Sequence, residues 1–139
     1  MAARCASVGA RVSDNDFPIS FGVTKFTQRV SVAVGDLTGD GVPDFVFGAG
    51  KGAIPAVAIY DGATGASIRT CQPFDAKRKK GVRVAVADVD EDGRYEVLAT
   101  LGGGALDTAV AFDASTCQRK TTYPSFGLKK GVFVGGTRR

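Results

Sequence analysis

Acidic side chains recur in this chain at a spacing suited to holding a metal ion. In "DLTGDGVPD", Asp36, Asp40 and Asp44 stand four residues apart, with Thr38 between the first two and Gly41 after the second. In "DVDEDGRYE", Asp88, Asp90, Asp92 and Glu96 occupy the same frame, with Gly93 in the place of Gly41. Oxygen donors at positions 1, 3, 5 and 9, with glycine at 6, let a chain curl around a hard cation. The backbone carbonyl of Val42 or Arg94, at position 7, would add a ligand. Calcium accepts six to eight oxygens at ~2.3–2.6 Å in irregular geometry, which such a loop can offer. Without a cation, carboxylates this close repel one another. Eight of the fourteen acids lie in the two windows, so the clustering calls for a reason. The expected ligands are Asp36, Thr38, Asp40, Val42 and Asp44, then Asp88, Asp90, Asp92, Arg94 and Glu96. The second loop is the stronger, because Thr38 brings only a neutral hydroxyl where Asp90 brings a charge. An EF-hand is excluded: its position-12 glutamate is replaced by Phe47 and Ala99. The alternative is a pair of metal-free turns, for which Asp and Gly are ordinary residues.

The elements that must position these acids repeat with them. Asp36, Asp40, Gly41 and Asp44 return 52 positions later as Asp88, Asp92, Gly93 and Glu96, and Asp61 returns as Asp113. Further on, "KKGVRV" at Lys79 returns as "KKGVFV" at Lys129, a displacement of 50. Two units follow, 29–80 and 81–130. The segment 1–28 reads as the end of an earlier unit or an extension, and 131–139 as the start of a third. Each unit reads as four short strands: Val30, Val32 and Val34 alternate with small residues at the strand period of two. β-branched residues and glycine turns leave no helical spacing. Four-stranded units of this length match the blades of a β-propeller. The expected fold is therefore all-β, a partial propeller of four-stranded antiparallel blades; a β-sandwich with duplicated hairpins is the alternative. Closing a propeller takes more blades than two, so a longer parent chain or a homo-oligomer is expected.

With the loop and the following "GAGKGAIPAVAIYDGATG" in view, the chain resembles the FG-GAP/VCBS repeat family, the calcium-binding blades of integrin α-subunits and of many bacterial surface proteins. The bacterial variety is nearest. The likeness runs from about Arg29 to Gly136. It implies a propeller, usually seven-bladed, with Ca2+ stapling each loop and ligands bound on one face. The second unit departs from the pattern at "LGGGALDTA", which lacks its proline, and the third has Arg138 where a first ligand would fall.

Composition narrows the function. The chain of 139 residues carries no histidine, which removes the commonest general base and most transition-metal sites. Cys5, Cys71 and Cys117 are too few and too scattered for a disulfide framework; free thiols are expected, with a Cys71–Cys117 bridge as the alternative. No apolar run is long enough to span a bilayer, and "MAARCASVGA" lacks the apolar centre of a secretory signal. "GAGKGA" at Gly48–Ala53 lacks the full phosphate-loop spacing and reads as a turn. Asp61 and Asp113 sit at turns, where they are expected to bond nearby backbone. The formal charge is +4 in spite of the acidic loops, and "AKRKKGVR" at Ala76–Arg83 supplies much of it. Interleaved aromatics for nucleic acid are lacking, so the strip reads as a solvated connection or as a grip for a polyanion such as an acidic polysaccharide. The expected function is non-catalytic: a calcium-stabilised extracellular or cell-surface module for adhesion or ligand binding, to a protein or an anionic polysaccharide. The rivals are the propeller part of a carbohydrate-active enzyme, such as a polysaccharide lyase, and a purely structural self-assembling unit.

Overall fold

The computed structural model describes residues 30–102 and 108–123. These form eight strands and no helix: β1 (Ser31–Gly35), β2 (Asp44–Gly48), β3 (Val57–Tyr60), β4 (Ser67–Cys71), β5 (Val82–Ala87), β6 (Glu96–Leu101), β7 (Ala109–Phe112) and β8 (Arg119–Tyr123). They build two four-stranded antiparallel sheets, β1-β2-β3-β4 and β5-β6-β7-β8, each a plain meander. The all-β reading holds, with one sheet falling in each expected unit. The units proposed for 1–28 and 131–139 lie outside the described residues, as do Cys5, Lys129, Lys130 and Arg138.

Register repeats as closely as sequence. Gly35 pairs with Asp44 in the first sheet, and Ala87 with Glu96 in the second. Each acidic loop therefore closes a β-hairpin, with its last acid already on the returning strand. Both sheets also shift register at the same place, between Ile59 and Tyr60 and between Ala111 and Phe112.

The sheets share one core. Val46, Val57 and Ile59 of the first and Val82, Val84, Val86, Val97, Leu101, Val110 and Phe112 of the second form a single buried cluster. Where β1 and β2 meet β5 the packing reaches the main chain. A Cβ on Gly48 would strike the Val82 carbonyl oxygen, and one on Gly35 would strike the Val86 side chain. The Val84 N–H donates to Ser31 Oγ at 3.1 Å across the same contact. Strand glycines often mark such a close approach of another backbone.

Equivalent faces meet different surroundings. Val84 and Val86 are buried against the first sheet, whereas Val32 and Val34, 52 positions earlier, are 49% and 52% exposed. Phe47, Ala58 and Tyr60 on that same face of the first sheet form a second buried cluster. Val32 and Val34 thus present to solvent the surface that their counterparts bury.

One expectation needs correction. Cys71 and Cys117 are joined by a disulfide, with Cα atoms 5.5 Å apart, and are not free thiols. The end of β4 lies against the β7–β8 turn of the other sheet, where Arg119 Nη2 also donates to the Pro73 carbonyl at 3.0 Å. Sequence spacing carries no record of which turn packs on which strand end, so a separation of 46 positions looked like isolation. Cys117 has φ 61° and stands where the first unit has Gly65, φ 75°. In both turns that residue's N–H donates to the aspartate carbonyl four back, Asp61 or Asp113. "GAGKGA" is a turn, as expected: β2 ends at Gly48, and Lys51 bridges to Lys80 in the connection to the second sheet.

Candidate metal centre

Both acidic loops are wound by their own backbone. Asp36 accepts from the N–H groups of Gly39 at 2.7 Å and Gly41 at 2.9 Å, and Asp40 accepts from Val42 at 2.8 Å. In the second loop Asp88 accepts from Asp92 at 3.2 Å and Gly93 at 2.9 Å, and Asp92 accepts from Arg94 at 2.8 Å. Gly41 and Gly93 have φ 84° and 87°, a left-handed turn that brings their N–H groups back onto the first aspartate. The first loop makes a second such turn at Gly39, φ 80°; the second makes it at Glu91, φ 60°, without glycine. Val42 and Arg94 thus take part in the winding through their N–H groups.

The ninth position distinguishes the loops. Asp44 is fully buried. One of its oxygens accepts from Leu37 at 2.8 Å and Thr38 at 2.9 Å, and the other from Gly62 at 2.9 Å. Three N–H groups thereby stabilise its charge. Thr38 enters this arrangement through its backbone. Glu96 is 1% exposed. Its Oε2 accepts from Val89 at 3.0 Å, the counterpart of Leu37, and its Oε1 accepts from Lys120 Nζ at 2.8 Å. The ammonium also donates to Asp90 Oδ2 at 2.9 Å and lies 3.6 Å from Asp92 Oδ2.

Only the second loop gathers its acids into a ring. Ligand oxygens of Asp88, Asp90 and Glu96 all lie within 4.8 Å of one another, and no second group of three such side chains occurs among the described residues. Asp36, Asp40 and Asp44 are thus held in one loop without converging in this way. The donors of the ring are all carboxylate oxygens, a set that suits a hard cation and offers nothing to a soft one. The Asp90 carboxyl is held below its ordinary range, chiefly by its hydrogen bond to Lys120. The Lys120 ammonium is pushed above its own range by hydrogen bonds to Glu96 and then Asp90.

Lys120 is absent from the sequence-derived set. It lies on β8, 24 residues beyond Glu96, and its counterpart 52 positions earlier is the apolar Ile68. The one available signal was that difference between the repeats. Asp61 and Asp113 do what was expected of them, accepting from Ala63 at 2.7 Å and from Ser115 at 2.8 Å.

No helix of the described residues is long and apolar enough to cross a membrane. The chain matches no model of a known protein family, and no curated protein matches it.

Proposed function

We propose that the chain is a calcium-stabilised, non-catalytic binding module built from blades of the FG-GAP/VCBS kind, working in adhesion or ligand recognition outside the cell. The observation that carries this reading is the ring of Asp88, Asp90 and Glu96, whose oxygens lie within 4.8 Å of one another in a loop between two strands. Asp92 and Arg94 would complete the second site, and Asp36, Thr38, Asp40, Val42 and Asp44 would form a first. Calcium favours an irregular, oxygen-only loop, and extracellular modules bind it at ~10⁻⁴–10⁻³ M. The Cys71–Cys117 bridge supports the location, because disulfides persist in oxidising compartments. Stacking of two four-stranded sheets, with Val32 and Val34 left on the repeat-equivalent outer face, supports further blades from a longer chain or from other copies. Lys51, Lys77, Lys79 and Lys80 are exposed and favour an acidic partner, for which an anionic polysaccharide is the proposed class.

The test is calorimetric melting with millimolar calcium and with chelator, alongside the mass in solution. Calcium at 100 times its dissociation constant adds roughly 2.7 kcal/mol to stability. For a domain of this size that raises the melting temperature by about 10 °C. Identical melts in calcium and chelator would refute the metal reading.

A further inference from the structure

We infer that Lys120 is a built-in cation that neutralises the second acidic loop, and that a divalent ion binds there only by displacing it. The inference rests on the metal reading of that loop. Its ground is the contrast between two buried carboxylates in equivalent places. Asp44 has both oxygens satisfied by N–H groups of its own sheet, Gly62 providing the last. Glu96 has one oxygen on the Val89 N–H and the other on the Lys120 ammonium. The residue equivalent to Gly62 is Ala114 and the residue equivalent to Lys120 is Ile68, so three positions change together between the repeats.

The ammonium does more than pair with Glu96. It reaches Asp90 at 2.9 Å and Asp92 at 3.6 Å, so one positive charge serves three of the five acids of the loop. Two of these, Asp90 and Glu96, belong to the converged ring. A divalent ion on that ring would need the oxygens that Lys120 holds, and two cations at such range repel. Lys120 has a route out. It lies on β8, which forms the edge of its sheet, and its side chain is 29% exposed, as against 2% for Glu96. Its long stem can carry the charge into water while Glu96 stays buried. The outcome is a loop ordered in either state, by its own lysine or by an added ion, with affinity lowered by the exchange.

The test compares the whole chain with Lys120→Gln and with a double variant, Glu96→Asp with Lys120→Ile, which copies the first sheet at two of those three positions. Calcium binding is read by calorimetry and terbium binding by sensitised emission. Melting is read in calcium and in chelator. Lys120→Gln is expected to bind calcium about tenfold more tightly. It should melt lower than wild type in chelator, and the gap should close in calcium. The double variant keeps the test sound if the single one folds poorly. With no ammonium to displace, it should bind calcium more tightly than wild type. Binding by wild type and Lys120→Gln with equal affinity would overturn the displacement while leaving the metal site standing. Absence of calcium and terbium binding in all three proteins would overturn the metal reading and the displacement with it.

Discussion

Asp113 shows how one side chain can set the acid sensitivity of a turn. Its carboxylate accepts from the Ser115 hydroxyl at 2.6 Å and from the N–H groups of Ser115 and Thr116 at 2.8 and 3.1 Å. The Ser115 hydroxyl is the chief reason that its carboxyl lies below the ordinary range. A folded-state value below the unfolded one adds stability above the unfolded pKa, and that stability fades as pH falls through the folded value. The window for this group lies below about pH 4. Ser115→Ala should cost roughly 1 kcal/mol at neutral pH, and its deficit should shrink as pH falls through that window. Urea unfolding from pH 7 down to 2.5 checks it; a deficit independent of pH would assign the loss to something other than the carboxylate. The bonds of Asp61 and Asp113 to their turns were legible in the sequence, because an aspartate reaches backbone two residues on wherever the chain turns. Lys120 was not legible, since its partner lies 24 residues away and only the pairing of β7 with β8 brings them together.

At the scale of elements, four short strands per repeat could be read from alternating valines and glycine turns, and four strands stand in each. The contacts between sheets could not. Gly48 looks like turn punctuation in the sequence, yet its bare Cα admits the Val82 carbonyl. Cys71 and Cys117 likewise meet only because β4 ends beside the turn of the next sheet. Closing 46 residues restricts the unfolded chain, which in the loop-entropy picture adds roughly 4 kcal/mol to stability. Cys71→Ser with Cys117→Ser should lose about that much in urea, and reduced wild type should unfold with the variant. Coincident curves for oxidised wild type and the double variant would show that the bridge contributes nothing. The bridge joins sheets that already share a core, so its removal should lower the midpoint without splitting the transition in two.

Across the whole molecule, charge is unevenly distributed. The acidic loops close the β1–β2 and β5–β6 hairpins, while Lys51 and Lys80 pair at the opposite end of β1 and β2. Backbone bonds fix this basic connection: Gly52 donates to the Lys79 carbonyl at 3.0 Å, and Val82 to the Ala49 carbonyl at 2.7 Å. None of Lys51, Lys77, Lys79 and Lys80 has an ion-pair partner among the described residues. A firm backbone under several free ammonium groups suits a polyanion, and exposed charges of this kind are screened by salt. Lys77→Ala with Lys79→Ala and Lys80→Ala should therefore elute from heparin or alginate at clearly lower salt; an unchanged elution would remove the polysaccharide proposal. The basic strip was plain in the sequence, but its place across from the acids needed the topology. Glu91 and Cys117 have a final bearing on how the chain holds this form. Each holds a left-handed conformation that the first repeat assigns to glycine, at a cost of roughly 1–2 kcal/mol per residue. The Lys120 bond to Asp90 and the Cys71–Cys117 bridge lie beside these two residues and help to hold their turns. The second sheet accordingly carries backbone strain that the first is spared, offset by the core the two share.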